Sequence, residues 1–494
     1  MNDSNNTKDL RNKTLSGVFW KGLERIAAQA VSTVVSIVLA RILVPEDYSV
    51  VGIVAIFFAF CNLFISSGLN SALIQKKDAD ILDYSTILIT NVTLAAALCA
   101  VMFFTAPLIA MVYKKELLTP VIRVMSLSFF INGYKAVVSA KVMSDLQFKK
   151  FFWSTLGGTI ISAVVGIWLA KRGYGPWALV AQQMTNSFID SLILSVTSKA
   201  RFVLHFSMAR FKTLFRFGGK IFLASIITVV YDQVKPLLVG IQYSTADLAY
   251  YNKGKSFPDL ISSIGTNTLS SSLFPVMAKV QDDKTAVLQM TRRFMQVSSF
   301  IVFPMMIGFL AVADGFVRIV LTEKWLPIVP YIMIFCVSEM FKPIQTGNLQ
   351  AIRAIGRSDI ILILEIIKKS SYFVVILLFV LFTNSPVLLA VSSIFTTLLA
   401  SVINMFPNRK LIGYTYIQQV SDLVINLLTA TAMGVAVYCM RFLSLNAYLL
   451  LPLQIVAGII LYAGMNYVLK NKSMKYILEL MKGFLHYGQN KGTT

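Results

Sequence analysis

A lysine or arginine inside an apolar helix is costly and defaults to a functional reading, most simply contact with an anion. This chain carries two such stripes. In the first, Lys21, Arg25, Gln29, Ser32 and Ser36 follow one another at helical spacing, with Glu24 beside them. In the second, Lys220, Ala224, Thr228, Tyr231 and Lys235 keep the same steps, with Asp232 on the same face. Arg123 lies in a further apolar stretch. Lys21, Arg25, Arg123, Lys220 and Lys235 are therefore the candidate contacts for an anionic headgroup. Glu24, Asp190 and Asp232 are the candidates for ion coupling, because burial favours the protonated form of a carboxylate. The structural alternatives are snorkelling of Lys21 and Arg25 to the membrane surface, a self-neutralised Asp232–Lys235 pair, and a hydrogen-bonded Asp190. Glu339 with Lys342, and Glu365 with Lys368 and Lys369, stand at i,i+3 and i,i+4 and read as local pairs.

No other chemistry is apparent. The chain has no Ser/His/Asp set and no clustered loop carboxylates; Asp282 and Asp283 read as a solvated turn. It has no phosphate-binding GxxxxGK[ST] loop, so ATP-driven transport by this chain itself is not expected. Cys61, Cys99, Cys336 and Cys439 lie in apolar stretches at unrelated spacings, and the two histidines, His205 and His486, stand apart. Neither a disulfide framework nor a metal site is expected, and no catalytic residue and no bound cofactor.

The elements that hold these residues are membrane spans. Of 494 residues, 56% are hydrophobic and 14% charged, with mean hydropathy +0.71. A soluble domain carries about 25% charged residues. Apolar blocks fall near 16–41, 48–69, 85–112, 117–139, 154–170, 175–197, 213–241, 256–278, 288–313, 326–349, 359–382, 386–405, 420–440 and 446–469. That makes an all-α polytopic membrane protein of about 14 transmembrane helices. The net charge of +22 does not point to nucleic acid, because the cations sit between apolar blocks. They crowd the N-terminal tail, alternate loops and the C-terminal tail, as Lys8, Arg11 and Lys13, then Lys141, Lys149 and Lys150, then Lys199, Arg201, Arg210 and Lys212. This bias puts both termini in the cytoplasm. No cleavable signal peptide is evident, and the first span reads as a signal anchor. Residues 474–485 read as an interfacial helix or a frayed basic tail.

The chain also repeats itself. Arg11-Asn-Lys-Thr-Leu15 and Arg210-Phe-Lys-Thr-Leu214 each lead into one of the two stripes, and their alignment places Lys21 on Lys220. The two copies point the same way across the membrane, which relates them by a pseudo-twofold along its normal, with a cavity between lobes. The expected division is an N-terminal lobe of six spans (1–205), a C-terminal lobe of six (206–408), and two further spans with a cytoplasmic tail (409–494).

Longer motifs then carry a family resemblance. Ala40-Arg-Ile-Leu-Val-Pro-Glu-Asp-Tyr48, Gly68-Leu-Asn-Ser-Ala-Leu-Ile-Gln-Lys-Lys77 and Gly175-Pro-Trp-Ala-Leu179 resemble the Wzx-type polysaccharide transporters. So do Leu248-Ala-Tyr-Tyr-Asn-Lys253, Leu273-Phe-Pro275, Gln281-Asp-Asp283, Lys324-Trp-Leu-Pro327, Gly356-Arg-Ser-Asp359 and Glu365-Ile-Ile-Lys-Lys369. The likeness runs from about residue 11 to 410, and it belongs to the superfamily that includes multidrug extrusion transporters and lipid II flippases. It implies a flippase of the bacterial inner membrane that moves an undecaprenyl-pyrophosphate-linked oligosaccharide (an O-antigen, capsule or exopolysaccharide unit) outward by alternating access. A proton or sodium gradient is the expected energy source. The implied partners are the lipid-linked oligosaccharide, membrane lipids, a polysaccharide polymerase and chain-length proteins, and no nucleic acid. The alternatives are a multidrug/cation antiporter, for which buried acids should outnumber buried bases, and a membrane glycosyltransferase or ligase, for which a large outer loop is expected.

Overall fold

The computed structural model describes residues 2–477 apart from 67, 77 and 444; it does not describe the side chains of residues 2–19, 66, 217, 220, 221, 224, 264, 265, 267–276, 278, 279 and 358. Two compact units divide at Ala249 and Tyr250. The first holds α1 (Asn2–Ile42), α2 (Pro45–Ser66), α3 (Leu69–Gln75), α4 (Ile81–Val112), α5 (Leu118–Ser126), α6 (Ser128–Ser144), α7 (Lys149–Lys171), α8 (Pro176–Ser198) and α9 (Met208–Gln242). The division falls early in α10 (Thr245–Lys279). The second unit continues with α11 (Lys284–Phe316), α12 (Val329–Glu339), α13 (Lys342–Ala354), α14 (Ser358–Phe382), α15 (Pro386–Leu411), α16 (Tyr416–Cys439) and α17 (Ala447–Val468). No strand occurs among the described residues.

Every expected span falls on helix. By length and apolarity alone, ten helical stretches among the described residues are able to cross a membrane. The expected spans that fall outside this set lie on α8, α9, α10 and α14. Polar residues account for α8 and α14: Gln182, Gln183, Asn186 and Asp190 in the one, Glu365, Lys368 and Lys369 in the other. The chain is a multi-pass membrane protein. Its burial is that of a protein in lipid: Phe104, Val164 and Phe382 face outward, while Asn91, Ser126, Asn348, Asn404 and Asn408 are fully buried. Polar side chains hold helices together where lipid supplies no hydrophobic drive between them.

Two local features recur along the chain. The α2 turn is closed by Asp47, whose carboxylate accepts the Val44 N–H at 3.1 Å. The α10 turn is closed by Asp247, which accepts the Ser244 N–H at 3.1 Å. The fourth span of each copy is broken. In the first copy α5 gives way to α6 at Leu127, where Ser126 Oγ turns back to the Arg123 carbonyl at 2.7 Å. In the second, α12 ends at Glu339 and α13 restarts at Lys342, because Pro343 cannot continue a helix but fits its first turn.

In the first unit α9 crosses the turn between α2 and α3 backbone to backbone. Gly68 has φ +58°, and a Cβ on it would lie 2.4 Å from the Gly218 carbonyl oxygen. Only glycine at both positions allows this approach.

Candidate functional site

The first stripe lines a cleft. Lys21, Glu24, Arg25, Ala28, Gln29 and Ser32 of α1 and Thr159 of α7 enclose about 490 Å³, within the range of small-ligand sites. The helix period explains the α1 set, since residues three and four apart share a face. The small side chain of Ala28 leaves the space open.

The charges in the cleft are unequally satisfied. Lys21 Nζ lies 2.7 Å from Glu24 Oε2 and 4.7 Å from the centre of the Phe151 ring. Thr155 Oγ1 donates to Glu24 Oε1 at 3.1 Å. Both carboxylate oxygens are therefore engaged, one by Lys21 and one by α7. Arg25 is exposed and takes no ion pair or hydrogen bond among the described residues. The cleft thus presents two cations against one neutralised anion. A guanidinium is the side chain best shaped to grip phosphate oxygens two at a time, and Gln29 and Ser32 add neutral donors one and two turns further along.

The α1–α7 seam fixes the lower end of the cleft. Trp20 and Phe152 meet edge to face at 5.4 Å, and Lys149 stands 5.2 Å over the Trp20 ring.

The other candidates lie elsewhere. Arg123, on α5, stacks 4.2 Å over Phe103 of α4 and donates to the Phe103 carbonyl at 3.4 Å; it does not line the cleft. Lys235 is buried in α9, and Asp232 one turn before it is exposed. The Lys220 side chain lies outside the described residues, as does the tail from 478 onward. Asp190, which has no partner nearby in sequence, is met by Lys135 of α6 at 2.5 Å. Its other oxygen is buried without a hydrogen-bond partner among the described residues, and the Asp190 Cβ packs beside Gly158 of α7, as Asn186 does. Glu24 lies in the cleft as a partner of Lys21.

Three arrangements were not foreseen from sequence. Arg210, in the second of the paired openings, grips Asp80 at 2.6 Å and Asp83 at 3.1 Å, and Lys76 reaches Asp83 at 2.6 Å. The Asp83 carboxylate holds the Arg210 guanidinium above its ordinary value. Arg292 of α11 makes the matching grip on Asp422 of α16, with Nε 2.7 Å from Oδ2. Asp283 is no idle turn residue, since it caps α11 by accepting from the Thr285 and Ala286 N–H groups. The local pairs at Glu339–Lys342 and Glu365–Lys368 are present, but Asp259 also joins the first of them.

With this geometry in hand, known proteins give the chain its relatives. The profile of a family described as polysaccharide biosynthesis protein matches residues 38–330. The lipopolysaccharide biosynthesis protein WzxC of Escherichia coli K12 is 25% identical over 358 residues, 71% of this chain and 72% of that protein. The teichuronic acid biosynthesis protein TuaB of Bacillus subtilis 168 is 22% identical over 474 residues, 91% of this chain and 94% of that protein. Among solved structures, the lipid II flippase MurJ in an inward closed conformation superposes with a TM-score of 0.74 at 15% identity, covering 92% of this chain and 98% of that one. An inward-facing multidrug transporter of the MATE family superposes with a TM-score of 0.60 at 14% identity, covering 78% and 94%. These two likenesses establish the shared fold.

Proposed function

Because the chain belongs to the polysaccharide biosynthesis protein family, we propose that it is a flippase for an undecaprenyl-pyrophosphate-linked oligosaccharide. It acts in the bacterial inner membrane, with both termini in the cytoplasm. The observation that carries this reading is the α1–α7 cleft, where Arg25 stands without a carboxylate beside a Lys21 already held by Glu24. A pyrophosphate leaving the headgroup region loses its water, and cations with fixed donors offset that loss. The lipid tail stays in the bilayer while the head crosses. A cationic drug would meet repulsion in the same cleft. Lys220 and Lys235 supply the matching charges of the second repeat, and Arg123 a charge further along the path. Translocation by rocking lobes needs an ion gradient, of protons or sodium, with Glu24, Asp190 and Asp232 as coupling candidates. A polymerase and chain-length proteins take the product outside.

The test is complementation of a flippase-deficient host. Arg25→Ala is expected to lower surface polysaccharide about tenfold or more at normal protein level, the loss of one charge-assisted contact. Arg25→Lys should restore only part, since an ammonium cannot bind two oxygens in one plane. Normal export by Arg25→Ala and by Lys21→Ala would remove the cleft from the pathway.

A further inference from the structure

The second unit holds a charge arrangement unlike the others. Glu339 closes α12 and is buried; Lys342 opens α13. Lys342 Nζ contacts Glu339 Oε2, lies 3.3 Å from Asp259 Oδ1 of α10 and donates to Ser262 Oγ at 3.1 Å. Ser262 Oγ in turn donates to Glu339 Oε2. Two carboxylates thus share one ammonium. Elsewhere among the described residues the buried acids are matched: Asp190 by Lys135, Asp422 by Arg292, and Asp83 by Lys76 and Arg210.

We propose that Glu339, Asp259 and Lys342 form a proton-binding site, in which one exchangeable proton balances the second carboxylate. Three observations support it. An unmatched carboxylate away from water is costly, and taking up a proton removes that cost. Glu339 and Lys342 each occupy the helix end of their own sign, Glu339 at the C-terminal end of α12 and Lys342 in the first turn of α13, so neither charge is helped by its helix. And the side chains are graded in exposure: Glu339 is 10% exposed, Asp259 40% and Lys342 36%. Glu339 is the inner store, and Asp259 the outer group through which water exchanges the proton. When Glu339 binds the proton, its hold on Lys342 weakens and the ammonium turns toward Asp259. When the proton leaves, Lys342 returns. The site lies at the break between α12 and α13, so the exchange acts on a joint already interrupted.

On α10 itself, Lys255 stands one turn before Asp259 but makes no ion pair with it, and Lys253 is buried over the Phe257 and Trp325 rings. Tyr251 of α10 and Cys336 of α12 are coupled electrostatically to Asp259 and Glu339, and both types are neutral near pH 7. From α15, Ser393 and Thr397 meet Ser338 of α12, and Thr397 also meets Gln345 of α13. On α11, Arg292 and Asp314 are paired with Asp422 and Arg318, and Arg293 stacks on Tyr476. On α14, Asp359 and Glu365 are paired with Arg357 and Lys368. Arg353 of α13 is exposed.

The proton site stands on this geometry alone; its role in driving export rests on the flippase reading. The test is an infrared titration of the full-length protein in lipid bilayers, without cargo, following the carbonyl stretch of a protonated carboxyl. The wild type is expected to show a titrating band that Glu339→Gln abolishes. Asp259→Asn leaves a matched pair and is expected to abolish it too. Lys342→Met is expected to shift its midpoint to higher pH, and Asp422→Asn to leave it in place. A band that survives both Glu339→Gln and Asp259→Asn overturns the site. Loss of the band with unchanged export upholds the site and removes only its coupling role.

Discussion

Arg25 and Asp190 show how much a single charge owes to its neighbours. Arg25 faces a carboxylate already taken by Lys21 and Thr155, so its guanidinium remains for a ligand. Asp190 was a bare acid in the sequence, and Lys135, 55 residues upstream, neutralises it. Removing one member of such a pair strands the other, whereas removing both does not. Lys135→Met is expected to destabilise the protein by about 2 kcal/mol, less than for a fully buried pair because the lysine is partly exposed. The double variant Lys135→Met with Asp190→Asn should recover most of that loss. Thermal melting in lipid, read by light scattering, checks both; equal loss in single and double variants would mean the pair carries no coupling.

At the level of elements, the helix that follows each six-span copy is tied to that copy's third span. Arg210 at the start of α9 grips Asp80 and Asp83 at the start of α4, and Asp422 of α16 is gripped by Arg292 of α11. The sign of the pair is reversed between copies, but the elements joined are the same. Spans thirteen and fourteen, outside the repeat by sequence, thus begin as the repeat would continue. If the ties are equivalent, Asp83→Asn and Asp422→Asn should lower the melting temperature by similar amounts, a few degrees each. Gly218→Val is expected to do more, because a side chain there meets the Gly68 backbone at under 3 Å; loss of folded protein on gel filtration is the readout. The helices were legible because apolar runs need no partner to be recognised; their boundaries were less so, since α10 begins at Thr245 and not near 256. Lys21, Arg25, Gln29 and Ser32 were legible as one face because the helix period alone decides that. Lys135 opposite Asp190, Asp259 beside Glu339, and Arg210 on Asp80 were not, since each is a meeting of distant segments and no local pattern encodes it.

For the whole molecule, the loop cations make a statement about orientation that labelling can check. Arg172, between α7 and α8, is expected outside; Lys410, at the end of α15, is expected inside. Cys61 and Cys336 are buried, Cys99 is half-buried and Cys439 is exposed, so Cys99→Ser and Cys439→Ser come first. An impermeant maleimide added to intact cells should then label Arg172→Cys and spare Lys410→Cys, and the reverse pattern would invert the topology. It would also reverse the cleft, since Lys21 lies near the start of the first apolar block, 16–41. In the expected orientation the Lys21–Arg25 cleft opens near the cytoplasmic leaflet.

The contact of Gly68 with Gly218 has a mechanical meaning. No side chain intervenes, so the two backbones meet closely enough to serve as a pivot for α9. From Gly218 to Lys235 is about 26 Å along the helix axis at 1.5 Å per residue. A tilt of about 5° at that fulcrum swings Lys235 sideways by roughly 2 Å, the difference between a charge in contact and one out of reach. Two residues with no side chain would thus set the lever arm of a lysine they never touch.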